Sequence, residues 1–359
     1  MRIVIIGAGE VGFHVAKSLS QDDHDITVMD ISASKCKRAS ENLDVIVVEG
    51  NGASPRNLSS ANVQEADYVL CLTRVDEVNL IASQQAHELG AKKIVARLRN
   101  QQYTTRDSII KPEKFGIDLV IHPEKEASSE IVQLIRHSYA TQSTEFEDGR
   151  MQMIGLRLDE DSPIVGKTVR EICEAERDFK FGIITVVRDG ESHVPWSDFE
   201  FDKSDTAYFI VKTERLDSLM YFLGKETTPT KSIIILGGSK IGRSIAGMLQ
   251  NEISVRMIDN KRDKAEWLAT NLKETMILNG DGTDVELLKA ENIGEADSFI
   301  AATENEQTNL LSGMLARHLG VKQVVIHVST TEYMPIVNEI GFGTVISKNM
   351  STVNAIPVS

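Results

Sequence analysis

The 359-residue chain has a net charge of −14, and its 41% hydrophobic and 26% charged residues are typical of a soluble globular protein with two or three domains. The acidic balance argues against a nucleic-acid-binding protein, which needs a basic surface, and against direct binding to anionic lipid. No apolar run approaches the ~18 residues that span a bilayer, and the first strand starts so near the N-terminus that we expect no signal peptide.

The chain opens with an apolar strand that leads into a glycine motif. Ile3–Ile6 is followed by G-A-G-E-V-G at positions 7–12, a helical pattern, and a second strand, Ile26–Met29, that ends on Asp30. A glycine motif alone is a weak signal, but its combination with the flanking strand and the aspartate at the end of the next strand predicts a nucleotide-binding βαβ unit.

Each residue type in this motif has a physical reason. Gly7 permits the tight turn from strand to helix, Gly9 lets the backbone approach a pyrophosphate, and Gly12 lets the helix pack closely on the strand. The helix N-terminus then presents its partial positive charge to the phosphates. Asp30 is placed to accept hydrogen bonds from a ribose 2′-OH.

Alternating strands and helices continue to residue 121 and predict a parallel sheet with helices on both faces. Further strands are expected at Val45–Val48, Tyr68–Leu72, Ile94–Leu98 and Leu119–Ile121, and helices at Ala33–Leu43 and Asn79–Leu89. An amphipathic helix, Glu126–Tyr139, then leaves this domain and is expected to make an interdomain or intersubunit contact.

The pattern changes at a polar, acidic segment, Thr141–Arg150, to which we assign no element. Residues 151–223 are typical of a small α+β module with short strands, and Asp189-Gly190 is the signature of a hairpin turn. Its acidic clusters are expected to be solvated loop charges with no metal, because no further ligand spacing supports a site. The three cysteines, Cys36, Cys71 and Cys173, follow no disulfide or zinc pattern and are expected to be small buried side chains in a reducing cytosol.

The opening plan returns after a Thr/Pro linker at residues 227–230. Ile233–Leu236 leads into G-G-S-K-I-G at positions 237–242, and the next strand ends on Asp259. Further pairs lie about 230 residues apart, namely Gly50-Asn51-Gly52 with Gly280-Asp281-Gly282, Glu65-Ala66-Asp67 with Glu295-Ala296-Asp297, Leu72-Thr73 with Ala302-Thr303, and Asn79-Leu80 with Asn309-Leu310. The chain is therefore a tandem duplication.

With these two glycine motifs, the paired G-(N/D)-G and Thr…Asn positions, and a small module between them, the whole chain resembles the bacterial TrkA family. That family provides regulatory subunits of Trk/Ktr potassium uptake systems, built from RCK (KTN) domains. The resemblance implies tandem Rossmann-like α/β folds: an RCK N-lobe at 1–140, a small α+β C-lobe at 141–226, and a second N-lobe at 231–359. It also implies that the chain forms a homo-oligomeric, tetrameric ring. This ring would lie on the inner face of the membrane, under a multi-span potassium-transport subunit.

The resemblance further implies that the N-lobes bind NAD(H), with ADP or ATP as alternatives at either lobe. The first site would use Gly7, Ala8, Gly9, Glu10 and Val11 on the pyrophosphate and Asp30 on the ribose, with Thr73, Arg74 and Arg97 lining the pocket. Arg97 also has a reason from the residues alone, since strand ends face the ligand crevice and a guanidinium there can fork onto phosphate. A surface ion pair is the alternative role for Arg74 and Arg97.

The corresponding positions of the second site are Gly237, Gly238, Ser239, Lys240, Ile241, Asp259 and Thr303. Ser239 replaces the middle glycine, and its Cβ crowds the approach to a pyrophosphate, although Lys240 adds a positive charge nearby. His327 stands where the first repeat has Arg97. We therefore expect weaker dinucleotide binding or a different nucleotide at this site. Both aspartates predict discrimination against NADP(H).

The sequence shows no second C-lobe after residue 359, so we expect a fragment of a longer protein, with a naturally short family member as the alternative. An NAD-dependent oxidoreductase shares the opening motif, but the eight histidines form no acid/base constellation and no catalytic residue is proposed. His122, at a strand end, has the best position for such a role. A nucleotide-sensing regulator unrelated to potassium transport is the remaining alternative.

Overall fold

The computed structural model describes residues 1–22, 24–105, 107–137, 142–147, 149–175, 180–225, 229–329, 337 and 344–356. These residues form three sheets in two compact units. The first unit comprises the described parts of 1–127, 328–329 and 346–356, and the second comprises those of 128–327, 337 and 344–345. Within the described ranges, no helix has the length and apolar character needed to cross a bilayer.

The first sheet is parallel and has six strands. The strands are β1 (Arg2–Ile6), β2 (Asp25–Asp30), β3 (Ile46–Glu49), β4 (Tyr68–Cys71), β5 (Lys93–Arg97) and β6 (Leu119–Ile121). The helices are α1 (Glu10–Leu19), α2 (Ala33–Asn42), α3 (Pro55–Ser60), α4 (Asp76–Leu89) and α5 (Pro123–Arg136). The strand order is β3-β2-β1-β4-β5-β6, so successive strands are added on one side of β1 up to β3 and on the other side from β4 onward. Such a switch point opens a crevice at the carboxyl ends of the strands.

The sheet has both faces covered, which explains why its strands are continuous apolar runs rather than alternating patterns. Ile3 and Ile5 point into one buried cluster with Val28 and Leu70, whereas Val4 and Ile6 point into another. The alternation of strands and helices in the sequence predicted this arrangement, and the tandem Rossmann-like fold class is confirmed.

The second sheet is antiparallel and has the order β10-β9-β11-β8-β7. Its strands are β7 (Gln142–Phe146), β8 (Met151–Arg157), β9 (Phe181–Arg188), β10 (Glu191–His193) and β11 (Thr206–Lys212), with helices α6 (Val169–Ala175) and α7 (Leu216–Phe222). The predicted hairpin at Asp189-Gly190 is confirmed: it joins β9 to β10, and both residues have positive φ, at 52° and 83°. These values suit a type I′ turn.

The segment Thr141–Arg150, to which the sequence analysis assigned no element, contains β7. Gln142 pairs with Gly155 and Phe146 pairs with Met151 in an antiparallel edge strand. Its polar sequence carries little strand signal because an edge strand gains its stability from backbone pairing to β8 rather than from two buried faces. Residues 141 and 148 lie outside the described residues.

The third sheet repeats the first, in the order β14-β13-β12-β15-β16-β17. Its strands are β12 (Ser232–Leu236), β13 (Ser254–Asp259), β14 (Thr275–Asn279), β15 (Ser298–Ala301), β16 (Gln323–Val328) and β17 (Thr344–Ser347). The helices are α8 (Lys240–Leu249), α9 (Arg262–Asn271), α10 (Val285–Ala290), α11 (Glu306–His318) and α12 (Lys348–Asn354). The same strand order in both parallel sheets agrees with the duplication inferred from the sequence.

The last helix of each repeat lies mostly or wholly in the unit of the other repeat: residues 128–136 of α5 lie in the second unit, and all of α12, residues 348–354, lies in the first. Within the second unit, Gln323 Nε2 donates to the carbonyl of Leu134 on α5 at 2.9 Å. Within the first unit, α12 packs against α1, and Ile356 joins the buried cluster that contains Val11 and Val15. The predicted contact role of the amphipathic helix is thus an exchange of helices, although the helix begins at Pro123 rather than Glu126, and residues 138–139 lie outside the described residues.

The cysteines differ in burial. Cys36 and Cys71 are buried, as expected, and burial raises the pKa of the Cys71 thiol to about 12. Cys173 is exposed, contrary to expectation, because α6 packs Ile172 and Val169 against the core and leaves Cys173 on its exposed face. Whether Cys173 is buried depends on which face of α6 it occupies, and a single cysteine in the sequence does not show that face.

Candidate functional site

A cavity of about 540 Å³ lies at the switch point between β1 and β4. Its size falls in the usual range of ~300–1,000 Å³ for small-molecule sites. The carboxyl ends of β1, β2, β4 and β5 and the start of α1 border it, so the topology itself brings residues from distant parts of the first repeat together.

The glycines of the first motif have the constraints that the sequence predicted. Gly7 has φ = 108°, which side chains rarely adopt, and a Cβ on Gly12 would lie 1.8 Å from the carbonyl oxygen of Gly7. A Cβ on Gly9 would meet no protein atom within 4 Å. The requirement for a glycine at position 9 therefore comes from whatever occupies the cavity, and not from packing within the chain.

The N-terminus of α1 is open toward the cavity. Its N-cap residue, Gly9, provides no side-chain acceptor for the first-turn N–H groups, while Gly9, Glu10 and Val11 border the cavity. Uncapped N–H groups together with the helix dipole form an anion-binding site. The site fits the diphosphate of a nucleotide.

Asp30 is buried at the end of β2 and is held by backbone donors. Its Oδ2 accepts a hydrogen bond from the Ala8 N–H at 2.8 Å, and its Oδ1 accepts one from the Ser32 N–H at 2.9 Å. Lys35 Nζ lies 3.4 Å from Oδ2. A carboxylate has about four acceptor sites, so Asp30 retains capacity for a ribose hydroxyl.

Asn79 on α4 fixes the ends of two strands that border the cavity. Its Oδ1 accepts hydrogen bonds from the Thr73 N–H at 3.0 Å and from Thr73 Oγ1 at 2.6 Å. Its Nδ2 donates to the carbonyl oxygens of Thr73 at 3.1 Å and Arg97 at 2.7 Å. Asn309 makes the same contacts with Thr303 and His327, which explains why the Thr…Asn pair occurs in both repeats.

Three arginines border the cavity on the side of β4 and β5. Arg74 lies 3.7 Å from Glu10, and Arg97 and Arg99 lie 3.8 and 4.0 Å from Glu124. Burial lowers the pKa of Arg97, which the nearby Glu124 partly offsets, but a guanidinium keeps its charge at neutral pH. These ion pairs are long, so the guanidinium groups can turn toward a bound phosphate.

The second repeat has a smaller cavity of about 190 Å³ in the equivalent position. Lys264 Nζ lies 2.8 Å from Asp259 Oδ2, at the carboxylate that a ribose would use. Burial alone would raise the pKa of Asp259, but the hydrogen bonds from Lys264 and from the Lys261 and Gly238 N–H groups outweigh it and hold the pKa below its usual range. Glu304 borders this cavity where the first repeat has Arg74.

Ser239 closes the N-terminus of α8. Its Oγ accepts a hydrogen bond from the Gly242 N–H at 3.2 Å, in contrast to the uncapped α1. The side chain thus uses one of the donors that would otherwise face a phosphate. The first cavity has five basic and three acidic side chains at its border, whereas the second has two basic and three acidic ones.

The structure brings most of the predicted site residues together. Those at the border of the first cavity are Gly7, Gly9, Glu10, Val11, Asp30, Thr73, Arg74 and Arg97. Ala8 lies behind them and donates its N–H to Asp30. Gly237, Asp259 and Thr303 border the second cavity, but Gly238, Ser239, Lys240 and Ile241 do not.

Sequence analysis assigned no site role to several other residues at the border of the first cavity: Lys35, Gly50, Asn51, Gly52, Arg99, Glu124 and Lys348. The G-N-G loop was visible as a repeated pair, and its position after β3 could have placed it at the carboxyl edge of the sheet. Lys35, Arg99 and Glu124 follow strand ends by a few residues. Lys348 also follows a strand end, but that strand, β17, belongs to the third sheet, so its position at the first cavity has no local signal.

Neither feature of an enzyme that the sequence analysis considered is part of this site. His122 does not border either cavity, and its Nε2 lies 3.3 Å from Thr104 Oγ1. Among the described residues, no group of three or more His, Cys, Asp or Glu side chains has a geometry that holds a metal ion.

Comparisons with known proteins agree with the duplicated architecture. Residues 3–123 and 233–348 each match the model of the TrkA-N domain. A Trk system potassium uptake protein TrkA homolog of Archaeoglobus fulgidus is 33% identical over 357 residues, which are 99% of this chain and 80% of that protein.

Two solved structures share the fold at 20% identity. The crystal structure of the GsuK RCK domain matches with a TM-score of 0.71 over 98% of this chain and 75% of that one. The GsuK channel bound to NAD matches with a TM-score of 0.72 over 98% of this chain and 62% of that one.

Proposed function

The chain belongs to the TrkA-N domain family, and from that premise we propose that it is the nucleotide-sensing regulatory subunit of a potassium uptake system. The observation that carries the proposal is the first cavity, where an uncapped helix N-terminus, a buried aspartate and three arginines meet at a switch point. The chain is a regulator and catalyses no reaction.

The ligand class that this cavity suits is an adenine nucleotide, with NAD(H) as the first candidate and ADP and ATP as alternatives. The N–H groups at the start of α1 would hold the diphosphate, Asp30 would accept from the ribose, and Arg74 and Arg97 would contact phosphate oxygens. The TrkA-N match in both repeats and the NAD named for the GsuK channel support this assignment.

The second cavity is proposed to bind a dinucleotide more weakly than the first. Ser239 caps α8, and Glu304 repels phosphate where Arg74 attracts it. Lys264 pairs with Asp259 as Lys35 pairs with Asp30, at 2.8 Å rather than 3.4 Å, so the lysine is a smaller difference between the two sites. Each difference acts against the ligand independently, so a large loss of affinity needs no single dominant cause.

The partner is proposed to be a multi-span potassium-transport subunit at the inner face of the cell membrane, with this chain attached through that partner. We propose a homo-oligomeric ring, tetrameric in stoichiometry. The support is the similarity to the Archaeoglobus fulgidus TrkA homolog, a protein of a potassium uptake system, and the fold shared with the GsuK RCK domain.

The mechanism is a ligand-biased conformational equilibrium. A nucleotide shifts the equilibrium only by its difference in affinity for two arrangements of the N-lobes. Coupling of about 1–3 kcal/mol per site is usual for allostery, and several sites in one ring would add their contributions.

The test is calorimetry of the purified chain with NADH, NAD, ADP, ATP and NADPH, together with mass analysis of the oligomer at each ligand. We expect at least one of the adenine nucleotides to bind with micromolar or better affinity and NADPH to bind worse than NADH. Failure of every nucleotide to bind would overturn the proposal. So would steady NADH oxidation by the chain alone across a panel of metabolites.

A further inference from the structure

A lysine from the second repeat borders the cavity of the first. Lys348 is the first residue of α12, and it follows β17 of the third sheet directly in the chain. It borders the 540 Å³ cavity together with Arg74, Arg97 and Arg99. In the first repeat Pro123 occupies the matching position, so the lysine is a feature of the second repeat alone.

The first turn of α12 is anchored, which limits where this lysine can reach. Asn349 is fully buried and donates through Nδ2 to the carbonyl of Ser329 at 2.6 Å. Thr352 Oγ1 donates back to the carbonyl of Lys348 at 2.7 Å, and Ile356 is part of the core beneath α1. The backbone at Lys348 is therefore held by its own hydrogen bonds and by packing.

The basic groups around the cavity are incompletely neutralised. Arg74, Arg97 and Arg99 each have a carboxylate 3.7–4.0 Å away, whereas Lys348 forms no ion pair with any residue that the structure describes. Arg97 is 6% exposed, and its Nε has no hydrogen-bond partner among the described residues. A buried donor without a partner is costly unless a ligand completes it.

The charge balance indicates which ligand completes the site. Lys35 already lies 3.4 Å from Asp30. Once Asp30 binds a ribose and α1 binds a diphosphate, the other four basic side chains remain against two acidic ones, Glu10 and Glu124. A neutral nicotinamide ring gains nothing from this excess, but a further phosphate does, because each added negative charge is attracted by the uncompensated cations.

We propose that Lys348 is a specificity-determining residue of the first cavity, which favours a nucleoside triphosphate over a dinucleotide. The proposal rests on the proposed function, since it assumes that an adenine nucleotide occupies this cavity. Because Lys348 belongs to the second repeat, the affinity of the first cavity for the triphosphate depends on how α12 is seated.

The experiment is calorimetry of the full chain with ATP, ADP and NADH on the wild type, Lys348→Met and Lys348→Arg. Lys348→Met keeps the length of the side chain and removes its charge. We expect this variant to bind ATP about tenfold more weakly, equivalent to ~1.4 kcal/mol, with less than about a threefold change for NADH. Lys348→Arg is expected to restore the ATP affinity.

Lys37→Met is the matched control, because Lys37 is 73% exposed, pairs with Glu41 and lies away from the cavity. It is expected to leave all three affinities unchanged. Raising the salt concentration should reduce the difference between wild type and Lys348→Met for ATP, since screening weakens an exposed charge interaction.

An unchanged ratio of ATP to NADH affinity in Lys348→Met overturns the inference, as does an equal loss for all three ligands, which would indicate a packing role only. If Lys348→Met does not fold, Lys348→Gln is measured against the same criteria. Failure of the wild type to bind any of the three nucleotides overturns the proposed function instead, so the two failures are distinguishable.

Discussion

At the scale of single residues, two glycines of one motif have opposite reasons for being glycine. A Cβ at Gly12 would collide with a backbone oxygen, whereas a Cβ at Gly9 would project into open space at the cavity. Gly12 is needed for the fold, whereas the predicted role of Gly9 is to leave room for a ligand. The sequence motif alone does not separate these two requirements, because both positions are equally part of the pattern.

We expect Gly12→Ala and Gly9→Ala to affect different properties. Gly12→Ala should destabilise the first unit by about 3 kcal/mol, because the backbone around Gly7 must move. Gly9→Ala should change the free energy of unfolding by less than about 1 kcal/mol but weaken nucleotide binding about tenfold or more. Chemical denaturation and calorimetry on the same preparations measure both, and a stable Gly12→Ala variant would contradict the steric argument.

Local sequence predicted the residues of the first site that sit at fixed offsets from a strand. Gly7 follows β1 directly, and Asp30 and Arg97 are the last residues of β2 and β5. The parallel topology gathers such strand ends at one edge. Lys348 could not be predicted, because its contribution depends on which unit α12 joins. That choice is made by long-range packing, for which the sequence has no short-range signal.

At the scale of elements, α1 and α8 start with the same backbone plan but differ in how their first N–H groups are satisfied. Ser239 provides an internal acceptor for α8, and Gly9 leaves α1 without one. The sequence comparison of the two repeats predicted crowding by the Ser239 Cβ. The structure adds that the serine hydroxyl is a helix cap, which strengthens the expected loss of anion binding.

Ser239→Gly is expected to raise nucleotide affinity at the second site about threefold or more, at a cost of only a few tenths of a kcal/mol in stability. Ser239→Ala removes the same hydroxyl without giving room for a phosphate, so it should cost about 1 kcal/mol and gain no affinity. Measuring both in a Gly9→Ala background isolates the second site. Equal gains in the two variants would show that room for the phosphate is not the cause.

The middle sheet has an ion pair that makes its stability depend on pH. Asp205 is 1% exposed, and both of its oxygens accept hydrogen bonds from Arg188, each at 2.7 Å. Burial alone would raise the pKa of Asp205, but the hydrogen bonds and charge of Arg188 outweigh it and hold the pKa below its usual value. The stabilisation is therefore present above the unfolded pKa of about 3.9 and is lost as the pH falls through the lower folded pKa.

Asp205→Asn is expected to destabilise the middle module by about 2–3 kcal/mol at pH 7. The difference in the free energy of unfolding between the variant and the wild type should become smaller below about pH 4. The partial exposure of Arg188 keeps this figure below that of a fully buried pair. Hydrogen exchange of the β9 and β11 amides measures it locally. Asp198→Asn, which breaks the exposed pair with Arg170, is the control and should cost less than about 0.5 kcal/mol. If the difference in the free energy of unfolding between Asp205→Asn and the wild type stayed constant down to pH 3, the stabilising role of the ionised Asp205 would be contradicted.

At the scale of the whole molecule, the repeats are not independent, because each contributes a helix to the unit of the other. The tandem duplication was predictable from residue pairs at a constant separation. The exchange was not, since the amphipathic pattern of Glu126–Tyr139 shows only that a face must be covered and not by which sheet. For the first unit, the packing of Ile356 beneath α1 shows that the last helix of the second repeat covers the first sheet.

Ile356→Ala is expected to destabilise the first unit by about 2–3 kcal/mol, although the residue belongs to the second repeat. Faster hydrogen exchange should appear in α1 and not in β12 or β13. Val194→Ala, at a position that is 63% exposed, is the control and should change little. Faster exchange confined to the third sheet would contradict the exchange of helices.

The crossing of α12 onto α1 also bears on how such a gene can change over generations. Deletion of the second repeat would remove Ile356 from the core of the first unit. The first repeat therefore needs the second for its own packing, whether or not the second cavity binds a ligand. Hydrophobic packing of α12 in the first unit therefore couples the retention of one repeat to the retention of the other.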